Sequence, residues 1–527
     1  MIGSRVGAPF ITWQAGAFAL VQTGIMLIAI SNESLWIDEF WTAHFSQAPS
    51  FKAFIDLLLE SSGSQTPLHF LHFYLWAQLV PSGEFLLRLA NLPVFVVGQL
   101  ALYWALRSYP AKLSFWMLVL SALHPMVWQY ANEARPYILM VAGAQMMLAY
   151  LLHLHAANAN AGRIDPLFTA LFVVGGVFLA GASMLGVFWV FAACVFAAVL
   201  HVRHASWRTL LQWPTLPLLG AFVAAMAVLA HYYLGSLLQG QGASRLATST
   251  PATVGFAAYE LLGLSGVGPS RLDLRVRGPA ALGPYAAWLV AAVVATFVTL
   301  GVGLKAARQR VGLGGLLAVG LLGLLPVVLV IGSGFAMQWR VLGRHLIAAL
   351  PLLNLLLAMG LVTLFGHGHG RGRTLRWAVA AACLLALVAS SLSLRFAQRH
   401  EKDDYRAAAA LAKQSLAQGQ RVWWAAGTLG AHHYAVPGEF DYLAELMIKQ
   451  GSVACTDRPG VQSIANASQQ CLRTLSPPDV VMASKPETFD SRGDIAAYLQ
   501  AANFTPTQQL SAFTVWRRAG LELPGAK

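Results

Sequence analysis

Long apolar runs separated by short polar intervals dominate the chain, and the length of those runs decides its class. A helix rises 1.5 Å per residue, so ~20 apolar residues cross the ~30 Å of hydrocarbon in a bilayer. By that measure the segments near 10–31, 85–106, 113–131, 136–153, 166–182, 184–201, 213–235, 282–304, 311–333, 341–364 and 375–394 read as membrane-spanning helices, about eleven in all. The apolar run from 166 to 201 overshoots one crossing, so the chain is expected to turn near Gly181–Gly186. The first span follows closely on Arg5, is longer than a signal-peptide core and lacks an evident small-residue cleavage site. It reads as a retained helix.

The polar intervals differ in sign and length. Alternate short intervals carry Arg5, then Arg107 and Lys112, Arg163, Arg203 and Arg208, the group Lys305, Arg308 and Arg310, and the group Arg371, Arg373 and Arg376. Against these stands the single acid Asp165. Short loops with that bias face the cytoplasm, which puts the N-terminus inside and the other intervals on the outer side. The expected location is a multi-pass protein of a bacterial inner membrane with periplasmic outer segments. Composition agrees: 57% of the residues are hydrophobic and only 11% charged, against about 25% charged in soluble proteins. The net charge of +13 follows largely from the inner loops and gives no reason to expect nucleic acid.

Three outer segments are too long to be connectors. Residues 32–84 contain "FKAFIDLLLE", whose pattern predicts a short amphipathic helix lying on the membrane. Residues 236–281 are rich in Gly, Ser and Thr and contain "SRLDLRVRG". From Arg395 to Lys527, "DDYRAAAALAKQSLAQG" and "RGDIAAYLQAA" predict helices, and "RVWWAAG", "DVVMAS" and "AFTVWRRA" predict strands. The fold class is therefore a polytopic α-helical membrane protein (residues 1–394) with a small C-terminal periplasmic α/β domain (395–527). Neither a GxGxxG nor a P-loop motif is present in that domain. Cys455 and Cys471 lie in it, outside the cytoplasm, where a disulfide between them is plausible chemistry. Cys194 and Cys383, inside apolar runs, read as small core residues. His367 and His369 in "GHGHGRGR" read as part of a polar cytoplasmic connector.

Ionisable residues near a membrane are costly and mark function. Asp38 and Glu39 sit at the outer end of the first span between Trp36 and Trp41, which read as interfacial belt residues. "HPMVWQYANEARPY" brings Glu133, Arg135 and Tyr137 to the same expected depth, and "MQWRVLGRH" brings Arg340, Arg344 and His345. Acids and arginines on one leaflet can hold a phosphate while a carboxylate acts as base. The plainer readings are a solvated helix-end cluster for Asp38 and Glu39 and arginines that snorkel to headgroups, the latter suiting Arg88.

The stretches "LWIDEFWTAHFS", "TPLHFLHFYLWAQLVPSGEFLLRLANL", "HPMVWQYANEARPYILM", "GRHLIAALPLL" and "KDDYRAAAALA" resemble, in order, the GT-C superfamily of membrane glycosyltransferases. The likeness is to the branch of protein O-mannosyltransferases and aminoarabinose transferases. It implies transfer of a sugar from a polyprenyl-phosphate donor to a lipid, glycan or protein acceptor on the outer face. It further implies Asp38 as acceptor-activating base, Glu39 and Glu133 beside it in the catalytic group, and Arg135, Arg344 and His345 toward the donor phosphate. Gln65, His69, Tyr137, Arg271 and Arg275 are the substrate-contact candidates. The aminoarabinose transferases carry Lys-Pro-Pro-Leu where this chain reads "SQTPL", so Gln65 replaces the Lys and another cation is required, Lys52 or a loop arginine. No cofactor is firmly implied. A divalent cation is compatible with the family, although no closed ligand set stands out. A transporter of lipid-linked sugars is the alternative, but it calls for midplane charges and internal repeats, which the sequence lacks. A membrane polysaccharide polymerase or ligase shares the donor chemistry, without the Asp-Glu pair or the α/β tail.

Overall fold

Every apolar segment expected to span a membrane carries helix in the structure, a computed structural model that describes residues 12–60, 66–81, 83–159, 164–203, 206–238, 248–366, 371–440 and 455–518. Among the described residues, seven helices are long and apolar enough to cross a membrane, and Trp13–Ala29 and Pro166–Ala182 are shorter apolar helices. Ala111–Leu123 and Pro125–Ala131 form one run bent by 44°. The bend falls where Pro125 lacks the amide proton that would continue the ladder. His124 caps the new helix there, its Nδ1 accepting from Met126 N at 3.2 Å. Ala286–Ala336 holds the segment expected at 311–333 and all but the first residues of that expected at 282–304, interrupted at Gly312 (φ 69°, ψ 179°). The expected turn near 181–186 is present: one helix ends at Ala182, Ser183 is extended, and the next helix starts at Gly186.

The chain gathers into two compact units. One holds residues 1–31, 64–73 and 88–400; the other holds 32–63, 74–87 and 401–527. Much of the segment 32–84, grouped by sequence with the membrane helices, thus belongs to the unit of the C-terminal residues. In the helical unit, Tyr137–Ala159 is buried along most of its length and packs against Asn91–Leu106 and Pro166–Ala182. Lipid supplies no hydrophobic drive between helices, so close backbone approach takes over. A Cβ at Gly143 would lie 2.6 Å from the Gly175 carbonyl oxygen, and one at Gly175 would lie 2.6 Å from that of Gly143.

The second unit is built on five strands: β1 (Val422–Ala425), β2 (Gln462–Ser463), β3 (Val480–Ser484), β4 (Phe504–Leu510) and β5 (Phe513–Arg518). Their order is β2-β1-β3-β5-β4, with β1 parallel to β2 and β3, and β5 antiparallel to β3 and β4. Side chains alternate between two cores, as the period of a strand requires. Val422, Trp424, Val480 and Met482 face one, where Ala408, Ala409 and Ala412 of the helix Tyr405–Ala417 cover them. Trp423, Ala425 and Val481 face the other, with Ile495 and Leu499 of the helix Asp494–Ala501. Cys471 packs into this second core and is disulfide-bonded to Cys455. Strands β2 and β4 were not expected from sequence. Two residues are too few for a pattern, and β4 is polar with Pro506 at a register shift.

The first core also takes in Leu35, just before the helix Ile37–Ser46, and Phe40 and Ala43 from that helix. Phe51–Glu60 forms the expected short helix, burying Phe54 and Leu58 on one side. Three histidines meet in this unit: His44 of Ile37–Ser46, and His432 and His433 of the helix Thr428–His433. The His44 and His432 rings are 6.5 Å apart. Burial lowers all three below the ordinary imidazole range; His432 adds to this at His44 and His433, while Glu84 opposes it at His433. The unfolded chain, titrating at about 6.5, therefore takes up these protons before the folded one does. Stability contributed by the neutral imidazoles is present above that pH and declines as pH falls through it. The melting temperature of the full-length protein should drop between about pH 7.5 and 5.5, and His44→Gln with His432→Gln should flatten that slope in a thermal-shift titration.

Candidate active site

The Asp-Glu pair does not end the first membrane helix. That helix stops at Ala29, Ile30 is extended, and Trp36 is the N-cap of a separate helix, Ile37–Ser46, with Asp38 and Glu39 in its first turn. Acids are favoured there by the exposed amides and the positive end of the helix dipole. Along this helix Glu39, Phe40, Thr42, Ala43, Phe45 and Ser46 are buried, whereas Asp38, Trp41 and His44 are half-buried. The helical repeat accordingly sets an acid, an indole and an imidazole on one stripe at spacing three.

Glu39 is fully buried at 0% exposure. Its Oε2 accepts from Lys402 Nζ at 3.0 Å and lies 3.4 Å from the Trp36 amide. The next residue, Asp403, pairs with Lys485, whose Nζ is 5.6 Å from the Trp36 ring centroid. On the other side Phe40 meets Tyr405 edge-on at 5.0 Å. Tyr434 Oη accepts from Leu35 N at 3.0 Å and donates to Glu84 Oε1 at 3.1 Å. Trp36 and Trp41, read from sequence as belt residues, instead pack within this unit, Trp41 against the first core. Lys52 is exposed and pairs with Asp56 at 2.6 Å along its own helix.

The helical unit carries the second group. Residues 132–136 form a tight turn in which Arg135 N donates to the Glu133 carbonyl at 2.8 Å. Asn91 Nδ2 holds that turn, donating to the carbonyls of Ala131 at 3.1 Å and Glu133 at 2.8 Å. Asn132 Oδ1 accepts from Ser31 N at 2.7 Å, and Arg88 Nη1 donates to the Ser31 carbonyl at 3.1 Å. Arg88 is 0% exposed, so it is a buried clamp and not a snorkelling side chain. Tyr137 is the meeting point of two cations, with Arg135 6.0 Å and Arg344 5.8 Å from its ring centroid. His345 Nδ1 accepts from Leu342 N at 3.1 Å, capping the turn Gly343–Ala349 that carries Arg344.

His69 is fully buried, with the rings of Phe70 at 4.9 Å and Phe73 at 4.8 Å. Burial, reinforced by the charge of Arg135, holds its imidazole well below the ordinary range, so it is neutral at neutral pH. Arg271 opens the helix Arg271–Arg277, donates to Tyr130 Oη at 2.8 Å and pairs with the buried Glu260; Arg275 is exposed on that helix. Gln65, His367 and His369 lie outside the described residues. Among the described residues no three His, Cys, Asp or Glu side chains gather as a metal-ligand set.

Sequence reasoning missed Lys402, Asn91 and Glu260. Lys402 and Asn91 lie inside the quoted stretches "KDDYR" and "LLRLANL", but nothing in one dimension tells which polar residue in them turns inward. Glu260 has only Arg271 downstream as a hint.

No known family profile matches the chain, and no curated protein matches it. Among solved structures it is similar to ArnT from Cupriavidus metallidurans bound to undecaprenyl phosphate. That match has 14% identity over 97% of this chain and 98% of the other, with a TM-score of 0.49. It is also similar to the arabinofuranosyltransferase AftD from Mycobacteria, at 16% identity over 97% of this chain and 40% of the other, with a TM-score of 0.42.

Removing one partner of a buried ion pair leaves an uncompensated charge and costs about 3–5 kcal/mol, whereas replacing both is far milder. Lys402→Met should therefore destabilise the protein strongly, and adding Glu39→Gln should recover most of the loss, as read by thermal unfolding.

Proposed function

We propose that this multi-pass membrane protein is a glycosyltransferase that moves a sugar from a polyprenyl-phosphate donor to an acceptor on the periplasmic face of a bacterial inner membrane. The observation that carries the reading is the division of labour in the Asp-Glu pair. Glu39 is buried and committed to Lys402, while Asp38 keeps a half-buried position in the first helical turn. Together with the ordered likeness of "LWIDEF", "NEARPY" and "GRH" to GT-C enzymes, this favours Asp38 as the base.

In the reaction the acceptor hydroxyl gives its proton to the Asp38 carboxylate as its oxygen bonds to the anomeric carbon. The bond from that carbon to the donor phosphate breaks, polyprenyl phosphate leaves with the electron pair, and the configuration inverts. Arg135 and Arg344 are assigned to the charge that develops on the leaving phosphate, where preorganised cations act most strongly. Tyr137 fixes their approach, and neutral His69 adds a polar group without adding charge.

General-base catalysis contributes about 10²–10⁴-fold. Asp38→Asn should thus remove transfer by at least about 10²-fold with expression unchanged, measured by mass spectrometry of envelope glycolipids and glycoproteins from a complemented deletion strain. Near-normal product from that variant would sink the assignment. Arg344→Ala should raise the KM for the lipid donor about tenfold or more while leaving the acceptor KM within a few-fold; equal effects on both would remove its phosphate role.

A further inference from the structure

We infer that Glu260 is a positioning residue for the phosphate-binding arginines, acting through Arg271 and through the backbone of Gly343. The inference rests on the phosphate role proposed above for Arg344. Glu260 belongs to the helix Pro251–Leu261 and is 1% exposed. A carboxylate at that depth is stable only when its oxygens are bonded. Its Oε1 accepts from Arg271 Nε at 2.9 Å and pairs with Arg271 Nη2 as well. Its Oε2 accepts from Gly343 N at 2.9 Å. One carboxylate therefore ties the helix 251–261 to the start of the helix 271–277 and to the turn whose next residue is Arg344.

Arg271 carries the effect further. Its Nη2 donates to Tyr130 Oη at 2.8 Å, and the Tyr130 ring lies 4.6 Å from that of Tyr137. Tyr137 is the ring shared by Arg135 and Arg344. Glu260 thus reaches Arg344 by two routes, through the backbone at Gly343 and through the Arg271–Tyr130–Tyr137 chain. Charge-assisted bonds of this kind are stronger and more directional than neutral ones. Space confirms the closeness: a Cβ at position 343 would lie 2.6 Å from both Cβ and Oε2 of Glu260, so only glycine admits the contact.

The test is a titration of the purified full-length protein with undecaprenyl phosphate, followed by intrinsic tryptophan fluorescence, with melting temperature recorded beside it. Glu260→Gln keeps a neutral acceptor for the Gly343 amide but strips Arg271 of its counter-charge, so it should lower the melting temperature and weaken binding several-fold. Glu260→Ala removes the acceptor and should weaken it about tenfold or more, equivalent to ~1.4 kcal/mol; should this variant fail to fold, the glutamine variant decides. In turnover assays both should raise the donor KM and leave the acceptor KM unchanged, a split that general destabilisation does not produce. Folded variants that bind as the wild type does, or that lose only melting temperature, overturn the role of Glu260 and leave the phosphate reading of Arg344 standing. A wild-type protein that does not bind undecaprenyl phosphate overturns both.

Discussion

A charge taken out of water must find its partner inside the chain, and this constraint shapes both compact units. Desolvating a carboxylate or a guanidinium costs several kcal/mol per ion unless a counter-charge and hydrogen bonds replace the lost water. Glu39 finds Lys402 across 363 positions of sequence. Arg88 finds the Ser31 carbonyl across 57, and Glu260 finds Gly343 N across 83. Each of these bonds closes a long loop, and those of Glu39 and Glu260 are made at or next to a neighbour of a residue assigned to the chemistry. Polar groups therefore join segments far apart in sequence, although 57% of the residues are hydrophobic.

One consequence is that the C-terminal residues are no appendage. The helix Ile37–Ser46 has its apolar side in the core of the sheet, through Phe40 and Ala43. Its first turn is held by Lys402, and the segment leading into it is held by Tyr434. Arg406 Nε also lies 3.6 Å from Glu84 Oε1, adding a link between the early and late parts of the chain within the same unit. A defect in packing around Trp424 or Tyr405 would thus reach Asp38 through a few rigid contacts, without any change in the residues near it.

The sequence reported best what depends on length and least what depends on direction. Apolar runs of spanning length became helices because a backbone in hydrocarbon can satisfy its own polar groups in no simpler way. The strands at 422–425, 480–484 and 513–518 were legible as short apolar runs with turn residues on either side. What failed was sidedness. A membrane helix is apolar all round, so nothing in the pattern says which flank meets protein, and Arg88 read as a lipid-facing cation although it is buried. The Asp-Glu pair was read onto the first span because that span's apolar run lies close before it. The extended stretch between Ala29 and Ile37 is short, and its Ser and Asn residues give no sign of where the chain is heading. The candidate site was legible as residue types, and its supporting bonds were not, since each is made with a partner far along the chain.

The helical repeat itself explains why two adjacent acids differ in surroundings. Successive residues on a helix point about 100° apart, so the buried side takes two neighbours and leaves the third out, and Asp38 is left out where Glu39 and Phe40 go in. The buried pairs 39/40, 42/43 and 45/46 leave 38, 41 and 44 as the intervening stripe. Position 39 falls on the buried side, where a carboxylate is tolerated because Lys402 is there. Position 38 falls on the half-buried stripe with Trp41 and His44. Moving the motif one residue forward would place both acids at buried positions, 39 and 40, and moving it one back would place both at half-buried ones, 37 and 38. The register of Phe40 in the sheet's core thus decides which of the two carboxylates is buried against Lys402.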